Sequence, residues 1–286
     1  MENNKTVINE TSPLMFSQKL FHHPVDKWQV IATLVTASLQ FTAFLMIDSF
    51  WLACLASLAL SPLFAMSIAF GHNQHHRNTM SWMPLNRFYE VLLYFQNGTS
   101  PYAWTLHHNV GHHAHYLDHL RDPSAWKTED GRVMGRWEYC VKNSLMLYPS
   151  IVKIGLHFPQ LLRKFLIMFA LSNAILAILF YFDPVNALVL YVIPMISMVF
   201  FLLDATYPHH AQLDTVDPVV ASRNNLNPFF NFITCNLGYH AAHHIDPELH
   251  WTELPEAHAK IANRIPPELN HHTFIWRPEA LFPKQI

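Results

Sequence analysis

Charge is what this chain has least of. Asp, Glu, Lys and Arg make up 13% of its 286 residues, about half the share of an average soluble domain. That leaves too few ionic groups to solvate an ordinary globular surface. Glycine is scarce too: seven residues exclude collagen-like repeats, and the sequence contains no GxGxxG turn for a flavin or nicotinamide dinucleotide. The three cysteines, Cys54, Cys140 and Cys235, are too far apart for a CxxC pair. They exclude a disulfide scaffold and an iron–sulfur or rubredoxin module, and are read as reduced thiols. A formal charge of −2 leaves no basic excess to hold nucleic acid, so no nucleic-acid partner is expected. A 51% hydrophobic content with 14% aromatics excludes disorder. An integral membrane protein is the class that remains.

What is abundant is apolar sequence and histidine. Residues 28–47 and 50–70 are uncharged stretches of about the 20 residues that a helix needs to cross a bilayer. They are separated only by Asp48 and Ser49, and Pro62 is tolerable inside lipid. Residues 165–182 and 185–203 repeat the arrangement around Asp183 and Pro184, with Pro194 as a possible kink. The expected fold is all-α and integral to the membrane: four transmembrane helices in two hairpins, with a cytosolic helical cap. The expected organisation is a cytosolic N-terminal segment 1–27, hairpin 28–70, cytosolic or interfacial segment 71–164, hairpin 165–204 and cytosolic C-terminal segment 205–286. Lys and Arg number three in residues 1–27, ten in 71–164 and five in 205–286, with none at either hairpin tip. By the positive-inside rule both termini and the middle segment are cytoplasmic. The start, MENNKTVINETSP, lacks the basic-then-apolar pattern of a cleaved signal peptide. Residues 87–95 and 139–158 mix aromatic and aliphatic side chains with Lys or Glu, which suits helices lying at the interface. Phe95, Tyr102 and Trp104 are candidates to line a substrate entrance, although aromatics beside a membrane are more often interfacial anchors.

No histidine or other ionisable group lies inside the four stretches, which argues against an ion-conducting or pumping pathway. The 21 histidines instead cluster just outside them, as GHNQHHR, LHHNVGHHAH, YPHHA and YHAAHH. His72 and His76, at i and i+4 on a helix continuing from the second stretch, face one way and can converge on one ion. His108 and His112 repeat that spacing, and His113, one position on, reaches toward a second ion. His240, His243 and His244 form another helical face, and His210 stands near the exit of the fourth stretch. Nine nitrogens are too many for one tetrahedral zinc and suit two metals with open positions. His75, His107, His115, His119 and His209 adjoin this set but fall off the repeated spacing. For His22, His23, His157, His250, His258, His271 and His272, solvated or capping roles are expected. Asp118, Asp122, Asp204, Asp214, Asp246 and Glu253 are candidates to accept the second N–H of a ligating ring, with Asp204 and Asp246 foremost.

These motifs resemble the membrane fatty acid desaturase and alkane hydroxylase superfamily, with its HxxxH, HxxHH or HxxxHH, and HxxHH boxes. In this chain the boxes run from His72 to His76, from His108 to His112 and His113, and from His240 to His243 and His244. His210 matches the isolated histidine after the fourth span. The resemblance covers about residues 28–265. It includes the segment 236–261, similar to the family's C-terminal box region, and the DPS at 122–124. It implies two Fe ions held by these nine histidines and O2 as co-substrate. Electrons would come from an external protein of ferredoxin, rubredoxin or cytochrome type and its reductase, and the substrate would be a membrane lipid or acyl chain. The chemistry agrees: breaking an unactivated C–H bond requires a redox-active metal or organic cofactor. A desaturase is the expectation. The rivals are a hydroxylase on the same scaffold, since HNVGHH occurs in both branches, and a non-catalytic membrane metal-binding protein. The short middle segment and lack of fused redox domains point to a bacterial inner membrane.

Overall fold

The computed structural model describes residues 19–274. The polar N-terminal stretch read for signal features lies outside them. The regular structure of the described residues is almost wholly helical: α1 (Lys27–Met46), α2 (Phe50–His76), α3 (Met83–Asn97), a π-helical segment (Thr105–His113), α4 (Arg136–Gly155) and α5 (Pro159–Phe182). After these, α6 (Pro184–Ala187) runs through a π-turn (Leu188–Val192) into α7 (Ile193–His210). The short helices α8 (Pro228–Ile233), α9 (His240–Ile245) and α10 (Leu254–Ile261) complete the chain. A two-residue parallel pairing joins β1 (Asn224–Asn225) to β2 (Asn270–His271).

Four helices, Pro24–Met46, Phe50–His76, Pro159–Phe182 and Pro184–His210, are long and apolar enough to cross a membrane. The fold is an all-α membrane bundle. Asp183 breaks the second hairpin and caps its return, its carboxylate accepting from the Val185 and Asn186 backbone N–H groups while Pro184 takes the first helical turn. Asn186 then donates to the Ile47 and Phe44 carbonyls at the end of α1, at 2.6 and 3.3 Å, tying the two hairpins together. Gln40 donates to the Leu190 carbonyl in the π-turn at 2.7 Å and to the Phe95 carbonyl at 3.2 Å. In an apolar bundle such amides satisfy backbone groups that lipid cannot.

The helix expected at the interface over 87–95 lies deeper than that. The last half of α3 is buried against α1, α2 and α7, with Tyr89, Leu93, Tyr94 and Phe95 in the core. Gly98 lets it end there: φ is +77°, and a Cβ would stand 2.5 Å from the Met195 carbonyl oxygen. By contrast α4 keeps an interfacial character. Trp137, Leu145, Met146 and Leu156 are exposed, while Tyr139, Cys140, Leu147 and Ile151 pack into the core it shares with α7.

Both hairpins run longer than the apolar stretches alone indicate. α2 continues without a break to His76, and α7 to His210, so these two helices carry histidines out of the bundle on rigid rods. The π-helical segment and α9 approach the same end.

Candidate metal centre

The structure gathers all nine proposed ligands into two adjoining clusters. In the first, His72 and His76 of α2, His108 and His113 of the π-helical segment and His243 of α9 bring one ring nitrogen each within 4.8 Å of one another. The Nε2 atoms of His72 and His108, of His108 and His113, and of His113 and His243 are each 3.0 Å apart. In the second, His112, His210 and His244 converge in the same way. His240 joins them, its Nε2 2.9 Å from that of His210 and 3.2 Å from that of His244, while His210 and His244 are 3.1 Å apart. The clusters touch where the His113 and His244 rings stack at 4.5 Å.

The division among the middle histidines differs from the helical reading. His108 pairs with His113 rather than His112, because residues 105–113 are wound as a π-helix. With i→i+5 hydrogen bonding the turn is wider, so the fifth residue on shares the face. His112 is thereby released to the second cluster. The last box also splits: His243 and His244 are neighbours on α9 and diverge by about 100°, one to each cluster. Gly111 makes room for this winding, since a Cβ there would lie 2.9 Å from Pro123 and 3.0 Å from Ile154.

Hydrogen bonding alone does not account for these contacts. In a neutral imidazole each nitrogen is either donor or acceptor, so the Nε2 triangle of His210, His240 and His244 cannot alternate around three corners. The His210 Nδ1 lies 3.2 Å from the Ala221 carbonyl and that of His112 2.9 Å from the Asp122 carboxylate. Donation of both Nδ1–H groups leaves both Nε2 lone pairs facing inward. A cation at the centre satisfies them. For a metal–imidazole distance of about 2.1 Å, ligands at right angles stand about 3.0 Å apart and tetrahedral ones about 3.4 Å. The 2.9–3.2 Å spacings are of the size expected for nitrogens sharing one metal ion. Burial, reinforced by neighbouring imidazoles, holds His108, His113, His240, His243 and His244 far below the ordinary histidine range. These rings are neutral at physiological pH, as metal binding requires.

The carboxylate beside the clusters is Asp122, and not the two placed foremost. Asp204 is taken by Arg136 in a two-pronged ion pair at 2.5 and 2.6 Å, and Asp246 is exposed at the end of α9. Asp214 pairs with Lys127, Asp118 is exposed and caps the Leu120 N–H, and Glu253 accepts from the His250 backbone N–H. Trp104 is no interfacial anchor: it is buried, and its ring stacks on His108 at 4.6 Å. Phe95 is buried against Tyr191 and Tyr102 packs beneath Arg87. Tyr116, four residues beyond His112 and overlooked, packs its ring 4.3 Å from that of His244. Of the adjoining histidines, His75 bonds the Gly71 carbonyl, His209 bonds the Arg223 carbonyl and stacks on His240, His107 is buried, and His115 meets Arg121. His250 and His258, expected at the surface, are buried.

Two cavities flank the first cluster. One, a narrow pocket, lies against His72 and is lined by Ile68, Asn97, Thr99, Trp104 and Leu202. The other, also small, is lined by His76 and His243 together with His23, Asp26, Arg77 and His250.

Apolar helices that could cross a membrane, ending in two adjoining imidazole clusters that could each hold a metal ion, define a membrane protein of the histidine-box kind. The fatty acid desaturase family model matches residues 49–276, and the chain belongs to that family. No curated protein matches it.

Proposed function

We propose that this protein is a membrane di-iron oxidoreductase that introduces a double bond into an aliphatic, acyl-type chain. It would use O2 and electrons from an external ferredoxin-, rubredoxin- or cytochrome-type donor and its reductase. The observation that carries the reading is the convergence of nine imidazoles into two adjoining clusters at one end of an apolar bundle. His72, His76, His108, His113 and His243 would hold one ion, and His112, His210, His240 and His244 the other. Iron bound there supplies the redox chemistry that an unactivated C–H bond demands and no side chain provides.

The chain's own residues bind and orient. Asp122 fixes the His112 ring and sets a carboxylate beside an all-imidazole ligand set. Trp104, stacked on His108, shields that ring and forms a wall of the cavity against His72. We place the approach of the substrate chain at that pocket, where Ile68 and Leu202 supply apolar contact beside Asn97 and Thr99. The positive residues flanking the spans support cytoplasmic histidine boxes and termini, in a bacterial inner membrane.

Desaturation consumes O2, two electrons and two protons per CH2–CH2 unit and yields the alkene and two waters. The three-residue spacing between His108 and His112 also suits a hydroxylase, which would insert one oxygen atom and release one water. Mass spectrometry of lipid and small-molecule extracts from cells with and without the protein separates the two. A product two mass units lighter supports the desaturase, and a gain of sixteen supports the hydroxylase. Unchanged extracts from cells holding iron-loaded protein and its donor would overturn both.

A further inference from the structure

We propose that Asp26 and His250, with His23 at the mouth, form a proton relay feeding the five-histidine cluster. The inference rests on the oxidoreductase reading above. That reaction draws two protons from solvent for every O2 reduced to two waters, with its electrons coming from the donor protein and the substrate. The buried clusters need a path for those protons.

One pocket is lined by His76 and His243 together with His23, Asp26, Arg77 and His250. It has polar partners and room for about one water, which can carry a proton between groups too far apart to bond directly. Within it Asp26, at the head of α1, is 5% exposed and gathers the ends of the chain. The His250 Nε2 is 3.0 and 3.1 Å from its two oxygens, and the Trp251 Nε1–H donates to it at 2.8 Å. His250 is itself 5% exposed, and its Nδ1 meets the Thr252 hydroxyl at 2.7 Å. Hydroxyl, imidazole and carboxylate thus form one hydrogen-bonded line. The His23 ring stacks on that of His250 at 3.8 Å, with 10° between planes, and is half-buried where the cavity opens. Burial, with His250 and Arg77, holds His23 below the ordinary histidine range against the pull of Asp26 and Glu253.

A structural clasp between the head of α1 and the segment after α9 would need only an amide to bond Asp26. It gives no reason for a second imidazole stacked on the first, nor for their lining the same pocket as His76 and His243. His23 and His250 are therefore positioning residues for proton delivery, acting through water on the cluster.

The test compares wild type, His250→Gln and His23→Gln as full-length, iron-loaded proteins. Glutamine keeps a donor toward Asp26 and lies near imidazole in size, so iron content and melting temperature should hold. Product formed per O2 consumed should drop about a hundredfold in His250→Gln, the low end for loss of a general acid, with peroxide released instead. Its pH–rate profile should change, and added imidazole should restore coupling to His250→Gly. One readout is independent of turnover: proton uptake on adding azide to the iron-loaded protein, followed with a pH indicator, should slow in both glutamine variants. Unchanged coupling, pH profile and proton uptake with iron retained would overturn the relay. So would loss of iron and lowered melting without imidazole rescue, which is the signature of a clasp. A wild type with neither iron nor product would overturn the relay together with the reading it rests on, and that arm tells the two failures apart.

Discussion

Asp122 does for His112 what the Ala221 carbonyl does for His210: each accepts the Nδ1 proton and turns a lone pair toward the second cluster. Asp122→Asn keeps both the bond to His112 and the turn it caps at the Ser124 N–H, and removes only the charge. Iron affinity by chelator competition should fall by about tenfold, the low end for loss of a group supporting a ligand, with the melting temperature nearly unchanged. No change in affinity would show that the charge is immaterial. The histidines themselves were legible because box spacing is a local property of the chain. The acids were not: Asp204 stands as near a box in sequence as Asp122 does, but Arg136, 68 residues away, captures it. His250 hid for the same reason, since its partner Asp26 lies 224 residues off. Ile68 borders the cavity proposed for substrate. Ile68→Phe should reduce turnover or shift the position of the double bond while leaving iron content at the wild-type level; unaltered product and rate would move the substrate elsewhere.

At the scale of elements, the π-helical segment sets the division of labour among the clusters. Nothing in residues 105–113 distinguishes a π from an α winding in the sequence, because the choice is made by what packs on it. Gly111 sits tight against Pro123 and Ile154, and that contact holds the segment and Asp122 in register. Gly111→Val should push Pro123 away, costing about 1–3 kcal/mol as overpacking does. It should also release iron from the His112 cluster before the other, as Mössbauer spectra of partly loaded protein would show. Equal loss from both clusters would contradict this assignment. The two hairpins were legible from apolar length, whereas the depth of α3 was not. Its seat depends on Gly98 fitting against the Met195 carbonyl, a contact between residues distant in sequence.

For the whole molecule, two imidazole clusters buried without charge make stability depend on pH. The folded-state values of His108, His113, His240, His243 and His244 lie far below the unfolded value of about 6.5. As pH falls through that value the unfolded chain takes up protons that the folded one refuses, so their stabilisation is present above it and lost below it. The melting temperature of the metal-free protein should fall between pH 7.5 and 5, and iron should move that loss to lower pH by holding the same lone pairs. A flat profile for the metal-free protein would contradict the burial of neutral rings. The central claim is tested most directly by the iron content of the purified protein, read per chain by elemental analysis. Two irons per chain, falling when His113 or His244 is replaced by Ala, is the result predicted. One tightly bound zinc, or no metal under conditions that load iron, would contradict it.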